Sequence, residues 1–206
     1  MKITAINSQK KRDDRVSVFV DKKYSFSLSK AQLKDEGLES GQELSQPKLR
    51  SLKQASEDGK LFDRMLAWLA RRPRSIWEVR DYLRRKQAPD DLVDKFIAQL
   101  EELNYIDDQA FAEAWVRSRR VLKPISQRKL RSELYKKRVD SDIIDIVLED
   151  DETDEHQVLR QLVEKKRKQS RYQDEQKLLA YLARQGFNYS DIRSVLDQLA
   201  EEDDSR

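Results

Sequence analysis

Two apolar residues four apart, an apolar residue five positions on, and the first core residue of a new helix four or five beyond: this spacing occurs three times. Val79, Leu83, Ala88 and Leu92 make the first copy; Leu130, Leu134, Val139 and Ile143 the second; Leu178, Leu182, Phe187 and Ile192 the third. The period is roughly 50 residues, within the range of repeat architectures. Each copy reads as three short helices, which bury too little apolar surface alone and must stack on their neighbours. The expected fold is mainly α: tandem three-helix repeats in an elongated, curved array.

Local signals place the helix ends. Pro73 stops one helix, and Ser75 with Glu78 forms a capping-box pattern at the start of the next. Pro89 opens a helix whose expected core face is Leu92, Phe96, Leu100 and Leu103. Asp107 or Asp108 caps the helix of Phe111, Ala112 and Trp115, and Trp115 is expected to be buried between the first and second repeats. Ser126, Asp140 or Ser141, and Ser190 are the later cap candidates.

Ahead of the repeats the period changes from 3.6 to 2. Val16, Val18 and Val20 alternate with polar or outward positions, as do Tyr24, Phe26 and Leu28, with a turn at Asp21-Lys22-Lys23. This is a hairpin, and Ile3, Ala5 and Ile6 supply a third strand. Ser29 caps a short helix ended by Gly37, and Pro47 starts another through Leu49, Leu52 and Ala55. The expected division is a small α+β domain at 1–58 separated by Gly59 from repeats at 59–107, 108–152 and 153–201. A frayed acidic tail is expected at 202–206.

The composition fits solvated helices better than one compact core, with 37% hydrophobic and 39% charged residues. The chain has no cysteine, hence no disulfide, thiolate nucleophile or cysteine metal site. Its one histidine, His156, reads as a solvated or capping residue. The glycines at 37, 41, 59 and 186 are too scattered for a phosphate loop. The acidic run 149–155 lacks the glycine turn of a calcium loop and reads as a linker. No cofactor and no catalysis are expected. No apolar run has membrane-spanning length, and the first residues lack a signal-peptide core, so the expectation is a cytoplasmic monomer.

Charge is unevenly distributed. The net charge is only +3, yet residues 117–138 carry ten basic residues against Glu133 alone, a local excess of +9. Other clusters are Arg71 to Lys86 and Lys165 to Arg171. Basic stretches of this kind follow a phosphate backbone or an acidic protein groove. The candidate binding residues are Arg71, Arg72, Arg74, Arg84 and Arg85, then Arg117, Arg120, Lys123, Arg128, Arg131, Lys136 and Lys137. No base-reading motif accompanies them.

Several short motifs, in order, resemble the RecX family of recombination regulators: Leu69-Ala70-Arg71-Arg72-Pro73-Arg74-Ser75, Tyr105-Ile106-Asp107-Asp108-Gln109-Ala110-Phe111-Ala112, Leu130-Arg131-Ser132-Glu133-Leu134 and Leu182-Ala183-Arg184-Gln185-Gly186-Phe187. The resemblance covers roughly 60–200 in three-repeat order, and the N-terminal hairpin is similar to an extension of some members. Family repeats often place glycine at the turn after the basic helix; here Gln87 and Arg138 stand there and only Gly186 keeps it. The resemblance implies a non-enzymatic protein that binds the RecA–DNA filament. It would modulate, in the inhibitory direction, RecA ATP hydrolysis and strand exchange in homologous recombination, DNA repair and the SOS response. DNA would be met through the filament. The alternative is a stand-alone helical-repeat nucleic-acid-binding protein.

Overall fold

Alternating valines form the centre of the N-terminal sheet. In the computed structural model, which describes residues 1–10 and 12–204, β1 (Ile3–Gln9), β2 (Arg12–Val20) and β3 (Lys23–Ser29) are antiparallel in the order β1-β2-β3. Asp21 and Lys22 make the β2–β3 turn with φ of +48° and +66°, the twist a two-residue hairpin needs. A bulge between Val18 and Phe19 changes the parity: Val18 faces Phe26, but Phe19 faces Tyr24. Tyr24, expected beside Phe26 and Leu28, is therefore 55% exposed and meets the Phe19 ring edge-on. Behind the sheet lie α1 (Lys30–Asp35), with a capping box of Ser29 and Gln32, and α2 (Gln46–Leu69), capped by Ser45. Ile3, Val18, Phe26, Leu28, Leu44 and Leu52 share one core.

The expected break at Gly59 is absent, and α2 runs through it. One internal glycine costs a helix about 1 kcal/mol, too little to end it. A Cβ there would lie 3.2 Å from Gln32 Oε1, so the missing side chain admits α1. Residues 1–71 and 72–206 form two compact units.

The second unit holds α3 (Ile76–Arg85), α4 (Asp90–Glu102), α5 (Asp108–Leu122), α6 (Gln127–Lys136), α7 (Ser141–Glu149), α8 (Glu155–Arg167), α9 (Glu175–Arg184) and α10 (Tyr189–Asp204). α5–α7 enclose Phe111, Ala112, Leu130, Leu134, Ile144 and Leu148, and α8–α10 enclose Leu159, Val163, Leu178, Leu182, Phe187 and Val195. Three expectations change. The inward face of α4 is Val93, Phe96, Ile97 and Leu100, while Leu103, at the helix end, is 51% exposed. α10 begins one residue before Ser190, so Ser190 is not its cap. The tail is helical to Asp204, with Arg160 donating to Glu202 at 2.8 Å; Ser205 and Arg206 lie outside the described residues.

The spacing of five in the sequence has a structural cause. Leu83, Leu134 and Leu182 each offer a carbonyl to the amide five residues on, that of Ala88, Val139 and Phe187, at 3.2–3.4 Å. Between them Gln87, Arg138 and Gly186 take φ of +60°, +56° and +96°. This is a Schellman-type helix end, whose apolar partner is the residue after the left-handed one. All three turns share the geometry, although two lack glycine and bear the left-handed cost of roughly 1–2 kcal/mol.

These turns also join the repeats. Ser75, the α3 cap, donates its hydroxyl to the Lys137 carbonyl at 2.9 Å. Ser126, the α6 cap, donates its amide to the Gln185 carbonyl at 3.0 Å. The C-terminus of α9 thus abuts the N-terminus of α6, and that of α6 the N-terminus of α3, so opposite dipole ends meet. At Gly186 a Cβ would stand 2.2 Å from Ser126 Oγ and 2.8 Å from Lys129 Cβ. Gly186→Ala should cost about 1–3 kcal/mol by overpacking and backbone strain, read as a lower urea midpoint with unchanged slope.

Candidate functional site

Residues 128, 131, 132 and 135 fall on one helical face of α6, because positions three and four apart are neighbours. The Leu130–Leu134 face is buried, so this stripe looks outward. The joint at Ser75 brings the start of α3 alongside it. Between them is an open groove of about 590 Å³, lined by Trp77 of α3 and by Arg128, Arg131, Ser132, Tyr135 and Lys136 of α6, with Arg138 from the turn. Trp77 is 41% and Tyr135 47% exposed. Four cations and two aromatic rings line it, with no carboxylate. Arg131 is held by Asp145, and Arg128 donates to the Gly186 carbonyl at 3.1 Å. Lys136 and Arg138 have no carboxylate partner among the described residues.

The groove gathers Arg128, Arg131 and Lys136 of the expected residues; the others lie elsewhere. Arg117 pairs with Glu113 and lines a pocket with Asp150, Asp151 and Glu152. Arg120 is nearly buried: it binds Asp151 at 2.6 Å, with side-chain exposures of 11% and 8%, and donates to the Ile125 carbonyl. Lys123 is exposed at the end of α5. Arg84 and Arg85 pair with Asp90 and Asp81 on the surface, Arg74 is half-buried just before α3, and Arg71 is the exposed last residue of the first unit. The +9 of 117–138 is therefore partly neutralised by acids from other segments.

Arg72 and Lys137 converge on Glu78, each at 2.8 Å. Burial pushes the Glu78 carboxyl up, but the hydrogen bonds from Arg72 and Lys137 outweigh it and hold it down to about 2 from 4.5. Trp115 departs from its expected burial. It is half-buried, with Nε1 donating to Glu133 at 3.0 Å, Arg119 4.4 Å and Lys137 5.2 Å over its ring, and Phe111 beside it. Asp107, not Asp108, caps α5; Asp108 accepts instead from the Ile76 amide at 2.9 Å, and burial pushes its carboxyl up.

Sequence reasoning missed Trp77, Tyr135 and Arg138. A usable signal was present: Trp77 lies off the Val79–Leu83 face, Tyr135 off the Leu130–Leu134 face, and both sit among basic residues.

Tandem three-helix repeats joined cap to turn, with a basic, aromatic groove beside α6, define a helical-repeat protein. The chain belongs to the RecX family. It matches, in order, the regulatory protein RecX N-terminal domain over residues 1–45 and the first, second and third RecX three-helix domains over 62–100, 107–148 and 152–196. It is 32% identical over 201 residues to a protein of Bacillus pumilus (strain SAFR-032) named regulatory protein RecX, covering 95% of this chain and 76% of that one. A Bacillus subtilis (strain 168) protein of the same name is 31% identical, with coverage of 98% and 78%. A crystal structure of regulatory protein RecX superposes with a TM-score of 0.74 at 26% identity, over 95% of this chain and 98% of that one. RecX from Lactobacillus salivarius gives 0.59 at 26% identity, over 71% and 98%. These relatives are named as regulatory proteins, and no helix among the described residues is long and apolar enough to cross a membrane.

Two outcomes follow from the ion pairs. Arg120→Ala leaves the buried Asp151 without its cation, with the Thr153 hydroxyl still donating to it, and should cost about 3 kcal/mol, whereas Lys123→Ala should change stability by less than about 0.5 kcal/mol; thermal melts of both variants check this. Glu78 has a folded pKa below its unfolded value, so its stabilisation is complete above about pH 4.5 and is lost as pH falls toward 2. Glu78→Gln should destabilise by about 1–2 kcal/mol at pH 7 after solvent screening, and by progressively less toward pH 2, in urea melts across that range.

Proposed function

We propose that this chain is a non-catalytic regulator that binds a RecA–DNA filament and lowers its ATP hydrolysis and strand exchange, acting as a cytoplasmic monomer. Family membership supports the regulatory role. The observation that carries the binding is the groove on α6, where Arg128, Arg131, Lys136 and Arg138 converge without an acid in the lining. A filament offers DNA phosphates and protein carboxylates, and either chemistry suits these cations. Arg71, Arg72, Arg74, Arg84, Arg85, Arg117 and Lys123 are secondary contacts in this reading, while Arg120 and Lys137 act first on the fold.

The same groove also suits a stand-alone nucleic-acid-binding protein, and one assay separates the two. DNA-dependent ATP hydrolysis by RecA should fall as this protein is added. The Arg128→Ala/Lys136→Ala/Arg138→Ala variant should need at least about tenfold more protein for the same effect, since charge-assisted contacts are worth about 1.5–3 kcal/mol each. Hydrolysis unchanged by the wild-type protein at saturating concentration favours the stand-alone reading.

A further inference from the structure

We infer that the groove between Trp77 and α6 binds unpaired nucleic acid, with one base laid on the Trp77 ring and flanking phosphates on Arg128, Lys136 and Arg138. The choice of DNA over RNA rests on the regulatory reading above; the chemistry of the groove does not.

Trp115 and Trp77 show the difference between a structural ring and an open one. Trp115 has Arg119 and Lys137 over its ring, Phe111 at its side and Glu133 on its nitrogen. Trp77 is 41% exposed, and among the described residues no cation or second ring lies over it. It faces a groove of about 590 Å³, within the range that accepts a drug-sized ligand, and the groove is open, so a chain can pass through. Lys136 and Arg138 have no carboxylate partner among the described residues, and Arg131 is already paired with Asp145.

Cations that track a backbone beside an exposed aromatic face are the parts of a single-strand site. In a duplex the π-faces of the bases are covered by their neighbours, leaving the Trp77 ring without a partner. An acidic peptide would satisfy the cations but not the ring. Stacking on a ring accepts the π-face of every base, so binding should show little sequence preference.

The test uses labelled oligothymidylate and a duplex of equal length, followed by anisotropy without recombinase. Trp77→Ala should weaken oligothymidylate binding roughly 5- to 150-fold, the range of one lost base stack, with its salt slope and duplex affinity unchanged. Trp77→Phe should restore most of the loss. Lys136→Ala and Arg138→Ala, which leave the ring intact, should each make the salt slope shallower by about 0.7. Equal losses on single strand and duplex would overturn the inference, as would no loss in any of these variants. So would polyglutamate that displaces the oligonucleotide as well as unlabelled oligothymidylate does at equal charge, which would mark an acidic-peptide groove. Should wild-type protein inhibit RecA while Trp77→Ala binds oligothymidylate normally, this inference fails and the regulatory reading stands. Ring-dependent binding without any effect on RecA means the opposite: the single-strand site stands and the regulatory reading fails.

Discussion

A helix cap that also bonds to the next repeat is the contact on which the second unit depends. Ser75 and Ser126 are fully buried. Each accepts the amide three residues on at 3.2 Å, and each donates to a carbonyl at a left-handed turn. One residue thus satisfies the start of its own helix and the end of another. Helix ends buried without partners would leave orphan amides and carbonyls; here the two sets meet. The joints differ in their surroundings. Around Ser75, Glu78 holds Arg72 and Lys137 in an ionic cluster. Around Ser126, Arg128 and Lys129 donate directly to the Gly186 and Arg184 carbonyls.

The joint also makes the groove. It brings Trp77 to α6, where the outward stripe is basic, and among the described residues no cation or second ring lies over that ring. A stripe on α6 alone would be a solvated helix face, the commonest use of lysine and arginine. With an exposed aromatic ring beside it, the same stripe lines a groove of cations and rings. The groove therefore follows from the stacking of repeats rather than from any one repeat.

Charge shows most clearly what folding redistributes. Along the chain, 117–138 is the most basic stretch. In the structure Glu113, Asp145, Asp151 and Glu78 return to it from elsewhere, and they divide its cations into two groups. Arg120 and Lys137 hold helices together through partly buried pairs. Lys136 and Arg138 have no carboxylate partner among the described residues. Coulomb energy depends on distance in space, and linear counting omits the acids that arrive from other segments.

Local rules written into consecutive residues determined the helices, the hairpin, the caps at Ser29, Ser75 and Ser126, and the three-fold repetition. They act over a turn or two of chain, and the five-residue spacing reflects a bond made within one helix end. The RecX resemblance was legible for the same reason, being carried by short motifs in order. Tertiary structure alone decided that a bulge turns Tyr24 outward. It also decided that Trp115 sits among charges while Trp77 stays open, and that Arg120 is structural while Arg138 lines a groove. The contacts behind the site join residues distant in sequence: Asp151 to Arg120, the Lys137 carbonyl to Ser75. The order of the residues does not state which distant groups will meet; the packing of the helices does.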